Sequence, residues 1–258
     1  MTGPIGSDTS VVSPEDNAPG LLGLLYGAYA ASLFALLGVL ALLAVFITPS
    51  IDLRRRIVRT TARLFLRLVG MRLTVRGLDT LPSGQCVIVA NHASYLDGLV
   101  FSAALPPRFS FVIKREMATV PLAATLLRRI GSQFVERFNR SKGAADARRV
   151  LRSASGGTSL VFFPEGTFSP RPGLLKFHAG AFITAARARC PVVPAVIRGT
   201  RAALPPGKLL PRPARIALEV LPPVVPRAQQ AATAALELRE RARTAILLLL
   251  REPDLSAA

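Results

Sequence analysis

Residues 86–97 read Cys-Val-Ile-Val-Ala-Asn-His-Ala-Ser-Tyr-Leu-Asp, and this stretch decides the fold. Its first five residues form an apolar run of strand length, and an apolar segment of helical length follows at 96–104. A strand, a short polar turn and a helix in this order are typical of an α/β sheet. His92 and Asp97 therefore lie at the carboxyl end of a strand, where open α/β sheets place their ligand sites.

The same alternation continues along the chain. Strands are also predicted at 73–75, 109–113, 133–136, 159–163, 192–197 and 216–220, and helices at 96–104, 120–129, 144–153 and 179–188. A last helix is predicted from about Pro226, a residue suited to a first helical position, to about Arg251. The Pro-rich stretch 204–213 is predicted as a loop. Residues 71–258 are thus expected to form one α/β domain with a mixed, mostly buried sheet flanked by helices.

The segment before this domain predicts a membrane anchor. Residues 1–20 are rich in Gly, Pro, Ser and Asp and indicate a disordered tail, whereas residues 21–48 carry no charge. About 20 apolar residues suffice to cross the hydrocarbon layer, so 21–48 is long enough to span. Three glycines and Pro49 would equally suit a helical hairpin in one leaflet, and both arrangements stay open. Residues 21–70 are expected to hold this anchor and a basic amphipathic helix.

The charge of the chain points to an anionic partner. Its formal net charge is +18, and a run of arginines follows the apolar segment directly. Cationic residues beside an apolar span favour the cytoplasmic side, so a cytoplasmic membrane with the catalytic domain facing the cytoplasm is expected. A nucleic-acid partner is the alternative; the absence of a helix-turn-helix or finger pattern argues against it. The arginines of this run are Arg54, Arg55, Arg56, Arg59, Arg63 and Arg67.

Cys86 and Cys190 lie far apart in apolar segments and belong to no Cys or His cluster. Such cysteines are typical of small core residues in a reducing compartment rather than of a disulfide or a metal site. No metal is expected.

The spacing of His92 and Asp97 has a chemical reason. Five residues along one helix would put the two side chains on different faces, so they meet only if His92 is in the turn and Asp97 in the first helical turn. Ser94 would then be the N-cap and Asp97 the third helical position of a capping box. A carboxylate on one imidazole nitrogen leaves the other free to accept a proton, which makes His92 a candidate general base. The alternative to this catalytic interpretation is that His92 is a structural histidine and that Asp97 is only a helix cap.

A second turn, Pro164-Glu165-Gly166-Thr167, ends the strand predicted at 159–163. Gly166 permits close backbone approach to a ligand, Thr167 offers a hydroxyl, and Glu165 would bind a hydroxyl or orient an Arg. Arg137 and Arg198 follow other predicted strands, and arginine suits a phosphate. Spacing alone identifies neither, and His178 is expected to be structural or substrate-adjacent.

Taken together, these segments resemble the 1-acylglycerol-3-phosphate (lysophosphatidate) acyltransferases among the glycerolipid acyltransferases. The likeness rests on four ordered blocks over about residues 50–222. They are Asn91-His92 with Asp97, Phe134-Val135-Glu136-Arg137, Phe163-Pro164-Glu165-Gly166-Thr167-Phe168-Ser169, and Val192-Val193-Pro194-Ala195-Val196, with Lys114 and Glu116 also comparable.

The resemblance implies that His92 deprotonates a lysophospholipid hydroxyl, which attacks an acyl thioester, and that Asp97 holds His92. The implied substrate-binding residues are Asn91, Lys114, Arg137, Glu165, Gly166, Thr167 and Arg198. It implies no cofactor, with acyl-CoA or acyl carrier protein as donor. Phe168 stands where the family often has Arg, so Arg171, Lys176 or Arg198 would replace a phosphate contact, or the acceptor is another lysophospholipid or a lyso-aminolipid. A catalytically dead membrane scaffold would need a broken first block, and that block is intact.

Overall fold

A seven-stranded sheet organises the protein. The computed structural model describes residues 20–136 and 140–256, and the strand order is β1-β7-β6-β2-β5-β3-β4. Neighbouring strands are parallel except for the antiparallel pair β6 and β7. This mixed sheet confirms the predicted α/β class. The strands are β1 (Arg72–Arg76), β2 (Val87–Ala90), β3 (Phe109–Lys114), β4 (Gln133–Val135), β5 (Ser159–Phe162), β6 (Val192–Arg198) and β7 (Arg215–Val220).

Strand β2 is central and buried on both faces, which explains its unbroken apolar sequence. Since side chains alternate along a strand, Ile88 and Ala90 join one core, whereas Val87 and Val89 join the other. Strands β2 to β6 are mutually parallel, so their carboxyl ends meet at one edge of the sheet. The turns after β2 and β5, which carry the predicted site, therefore lie side by side.

Helices cover both faces of the sheet. The core on one face includes residues of α1, α2 and α3, and the core on the other includes residues of α5, α6 and α8. The predicted helices are all present. The helices are α1 (Leu21–Ile47), α2 (Ile51–Leu68), α3 (Leu96–Ala104), α4 (Pro121–Arg129), α5 (Arg140–Ser155), α6 (Gly180–Arg187), α7 (Thr200–Ala203) and α8 (Ala231–Leu250).

Helix α1 is the one helix of the described residues that is long and apolar enough to cross a membrane. Only 17% of its most apolar window is buried, which is unlike the core helix of a soluble protein. Its packed face contains Gly27 and Ala30, and Tyr26 donates a hydrogen bond of 2.8 Å to the carbonyl oxygen of Val69 after α2. Helix α1 thus presents most of its apolar side chains outward, an arrangement that indicates membrane association.

Two predicted helix starts are wrong by a few residues. The last helix begins at Ala231 rather than near Pro226. The segment before it is held in a non-helical conformation, because Val224 pairs with Val192 and the N–H of Arg227 donates to Glu237 at 3.0 Å. Helix α5 begins four residues earlier than expected, at Arg140. Residues 1–19 of the predicted tail lie outside the described residues. The predicted division of the chain near residue 70 stays a prediction.

Candidate active site

His92 and Asp97 meet across the turn between β2 and α3. Nδ1 of His92 lies 2.7 Å from Oδ2 of Asp97, and the Asp97 carboxylate is completely buried. The same oxygen accepts the backbone N–H groups of Ala93 at 2.7 Å and Ser94 at 3.0 Å. Because a carboxylate only accepts hydrogen bonds, Nδ1 carries the proton and Nε2 is left as the basic nitrogen.

The capping box differs in detail from the predicted one. The helix begins at Leu96, so Asp97 is its second residue, and the hydroxyl oxygen of Ser94 accepts from the N–H of Leu96 at 3.2 Å. The N-cap is Tyr95 and not the predicted Ser94, and Asp97 accepts from N–H groups of the turn before the helix. One carboxylate therefore orients the imidazole and holds the turn that leads into α3.

Asn91 does not contact the cavity described below. Its side chain is buried, donates to the carbonyl oxygen of Ile197 at 2.9 Å and accepts from the N–H of Ile197 at 2.8 Å. The paired bonds tie the end of β2 to β6 and fix the backbone from which His92 projects. The binding role expected for Asn91 stays a prediction.

Glu165, which follows β5, holds the backbone of His92. Oε1 accepts the backbone N–H of His92 at 2.6 Å, and Oε2 accepts the N–H of Leu175 at 2.8 Å. Burial raises the pKa of Glu165, the two N–H donors and Arg201 oppose the rise, and the nearby Asp97 adds to it, with a net pKa of about 7. Glu165 is 3% exposed and holds the turn that carries His92, and its binding role stays a prediction.

Two aromatic rings contact the His92 imidazole, and a third packs against one of them. Phe163 stacks on it with ring centroids 4.4 Å apart, and Phe168 contacts it edge-on at 4.6 Å. Phe168 in turn contacts Tyr95 at 4.8 Å. These contacts leave the histidine side chain 19% exposed, so the base is partly shielded from water.

The remaining exposed part of His92 faces a cavity of about 650 Å³. The cavity is lined by apolar residues of α1 and α4, such as Phe34, Leu37 and Leu126, and also by Tyr95 and by Phe168, which contacts His92. A volume between about 300 and 1,000 Å³ is typical of small-molecule sites. The helix that is apolar enough to enter a membrane thus forms one wall of the cavity that reaches the candidate base.

The other predicted site residues are placed differently. Lys114, Gly166 and Thr167 line the cavity. Arg198 lies away from it, since its guanidinium donates to the carbonyl oxygen of Leu249 and lies 3.7 Å from the carboxylate of Glu219. Arg137 falls outside the described residues, so its predicted role stays untested. Three exposed residues that the sequence placed near the substrate do not line the cavity: His178, Arg171 and Lys176.

Comparison with known proteins agrees with this geometry. A family model described as Acyltransferase matches residues 72–198, the segment from β1 to the end of β6. This segment of the chain is therefore similar to the acyltransferase family. The crystal structure of the 1-acyl-sn-glycerophosphate acyltransferase PlsC from Thermotoga maritima has the same fold as this protein, with a TM-score of 0.66. The two are 21% identical, and the match covers 87% of this chain and 95% of that chain.

Curated relatives match the central part of this protein. A 1-acyl-sn-glycerol-3-phosphate acyltransferase of Cocos nucifera is 30% identical over 165 residues, covering 64% of this chain and 53% of the relative. A chloroplastic one of Brassica napus, BAT2, is 33% identical over 135 residues, or 52% and 39% of the two chains. Lysophosphatidylcholine acyltransferase 1 of Homo sapiens is 33% identical over 131 residues, or 49% and 23%. The chain therefore spans about half or less of these relatives.

Sequence reasoning missed the roles of the aromatic rings and of α1 in the cavity. Phe163 and Phe168 were visible in the sequence, but neither shows a periodicity that would place it on a histidine. A signal for α1 was present in Gly27, where an added Cβ would lie 2.7 Å from Leu210 of the Pro-rich loop. A glycine in an apolar helix indicates close packing, but not the partner.

Proposed function

We propose that this protein transfers an acyl group from an acyl thioester to the free hydroxyl of a lysophospholipid, with 1-acyl-sn-glycerol-3-phosphate as acceptor and phosphatidate as product. The observation that carries the proposal is the 2.7 Å contact of buried Asp97 with His92, which lines a mostly apolar cavity of about 650 Å³. A general base in the wall of a large apolar cavity suits chemistry on an amphiphile.

In the proposed reaction, Nε2 of His92 removes the proton of the acceptor hydroxyl while its oxygen attacks the thioester carbonyl. The C–S bond of the tetrahedral intermediate then breaks, and the imidazolium returns its proton to the leaving thiolate. Asp97 holds the reactive tautomer and stabilises the imidazolium. A positioned base contributes about 10²–10⁴-fold, and alignment of donor and acceptor adds to it. No covalent acyl-enzyme is required.

Lysophosphatidate is favoured as acceptor because two of the relatives described above are named for acting on it. Lys114 supplies a positive charge to the cavity, Gly166 and Thr167 lie at its reactive end, and Arg137 is proposed to complete the phosphate contacts. A second acceptor class is another lysophospholipid or a lyso-aminolipid. Phe168 favours it, since an uncharged ring stands in the cavity wall beside His92 where the family often has an Arg.

The lipid substrates are proposed to enter from the cytoplasmic membrane, with the domain on its cytoplasmic side. The outward apolar face of α1 supports the membrane, and the cationic start of α2 supports the orientation. The donor is proposed to be acyl-CoA or acyl carrier protein, either of which would approach from the aqueous side. No cofactor takes part in the proposed reaction.

The test is thiol release from palmitoyl-CoA by the purified full-length protein, with and without lysophosphatidate. Release that depends on the acceptor is expected, and His92→Ala should lower it at least about 100-fold. His178→Ala is the matched control and should retain activity, because His178 is exposed and does not line the cavity. Near-normal activity of His92→Ala would remove this base from the mechanism. A panel of lysophospholipids decides between the two acceptor classes.

A further inference from the structure

The C-terminal strap, residues 251–256, packs against the loop that follows the 165–168 turn. Oε2 of Glu252 accepts the N–H of Gly173 at 2.6 Å, and the N–H of Leu174 donates to the carbonyl oxygen of Pro253 at 2.9 Å. Gly173 adopts a φ of 144°, and a Cβ there would lie 2.4 Å from Leu255. The loop and the strap are therefore fitted to each other at the backbone.

The strap is also fixed to the body of the domain. Asp254 pairs with Arg243 of α8, with an Nη1–Oδ2 distance of 2.8 Å, and the same guanidinium donates to the carbonyl oxygen of Leu174 at 3.3 Å. The side chain of Leu174 is completely buried. These contacts hold residues 173–175 in one position, and the N–H of Leu175 is a donor to Glu165.

A second connection runs through charged side chains. Nη1 of Arg201 in α7 donates to Oε1 of Glu252 at 2.8 Å, and the positive charge of Arg201 also acts on Glu165. The Nε atom of Arg201 is buried and has no hydrogen-bond partner among the described residues. Arg201 is therefore shared electrostatically between the strap and the carboxylate that holds the backbone of His92.

We propose that Arg201 and Glu252 are positioning residues that set the hydrogen bond between Glu165 and His92, and so the place of the catalytic base. The catalytic consequence rests on the proposed acyl transfer, whereas the coupling itself can be measured without any substrate. Neither residue lines the cavity, so they act through Glu165 and not on the lipid.

The pairing predicts opposite effects of its two members. The charges that act on Glu165 are Arg201 from α7, which lowers its pKa, and Asp97 from α3, which raises it. Neutralising Glu252 leaves the charge of Arg201 without its counter-ion, so the pKa of Glu165 should fall. Neutralising Arg201 removes the positive charge that attracts the Glu165 carboxylate, so the pKa of Glu165 should rise. A purely structural ion pair would respond alike to the loss of either member.

The experiment uses the full-length protein labelled with [15N]histidine in detergent micelles. The chain has 2 histidines, so two backbone amide signals are expected, and His178→Gln assigns them. The His92 amide donates to Glu165 and should titrate near pH 7. Glu252→Gln should move this inflection down, and Arg201→Gln up, each by about one pH unit. Glu240→Gln, on the exposed face of α8, is the control and should leave it unchanged.

Shifts in the same direction, or no shift, would overturn the proposal. If Glu252→Gln does not fold, Arg201→Gln alone tests the proposal. An inflection that does not move in Arg201→Gln would contradict it. In the acyl-transfer assay both variants should lose activity about tenfold while Glu240→Gln retains it. If the wild type shows the amide shifts but no acyl transfer, the proposed function fails and the positioning network stands.

Discussion

Phe168 lies edge-on against the imidazole of His92, with the ring centroids 4.6 Å apart, and touches Tyr95 on its other side. Phe163 stacks on the same imidazole. A base between aromatic rings is kept from bulk water, which matters in a reaction where water competes with the acceptor hydroxyl for the acyl group. The residue that departs from the usual family pattern is therefore placed to control which nucleophile reaches His92.

Replacing Phe168 tests this role. Phe168→Ala should raise thiol release in the absence of acceptor relative to release in its presence, because water gains access to Nε2 of His92. Phe168→Tyr keeps the ring and should preserve the wild-type ratio. Measuring palmitoyl-CoA cleavage with and without lysophospholipid gives both values. An unchanged ratio in Phe168→Ala would show that the ring does not exclude water.

The buried carboxylate of Asp97 serves both the base and the fold. Asp97→Asn should lower acyl transfer by about 10²–10⁴-fold, because an amide can hold the imidazole in the wrong tautomer. It should also lower the free energy of unfolding by about 1–3 kcal/mol, since the backbone N–H groups of Ala93 and Ser94 share the oxygen that is changed. Activity and denaturant unfolding are measured on the same sample. Loss of stability with full activity would separate Asp97 from catalysis.

Glu165 makes stability depend on pH. Its folded-state pKa of about 7 exceeds the ordinary value of 4.5, so the folded protein binds more protons than the unfolded chain between these values. The free energy of unfolding should therefore fall as pH rises from about 4.5 to 7, by up to about 3 kcal/mol. Glu165→Gln should flatten this dependence, whereas the exposed Glu240→Gln should not. Equal slopes in all three proteins would contradict the burial effect.

Much of the sheet and the central pair of the site could be predicted from the sequence. The central strands are short apolar runs between turn signals, so their positions are encoded locally. The contact of His92 with Asp97 also follows from local spacing, since the turn and the first turn of α3 leave the two side chains one arrangement in which to meet.

The supporting contacts could not be predicted, because their partners are distant in sequence. Asn91 bonds to a residue 106 positions away, and Glu165 accepts from the N–H of a residue 73 positions away. The resemblance implied substrate binding for both, and Glu165 was also expected to bind a hydroxyl or to orient an Arg. A polar side chain beside a catalytic turn has the same composition whether it holds the turn or the ligand, and only the register of β2, β5 and β6 distinguishes the two.

The arginines of α2 give the last prediction, since the structure divides them into two groups. Arg59 and Arg63 donate to the carbonyl oxygens of Ala104 and Ala103 at 3.2 and 2.7 Å, at the C-terminus of α3. Cations are favourable at this end of a helix. Arg56 and Arg67 are exposed. The first pair therefore fastens α2 to the domain, and the second is free to meet anionic lipid.

Arg63→Gln should lower the free energy of unfolding by about 1–2 kcal/mol and leave vesicle binding nearly unchanged. Arg67→Gln, four residues along the same helix, should do the reverse: near-normal unfolding, but binding to vesicles with anionic lipid weakened by about 1 kcal/mol. Cosedimentation with anionic and neutral vesicles, beside denaturant unfolding in detergent, measures both quantities. If the two variants behave alike in both assays, α2 does not divide its arginines between the domain and the lipid surface.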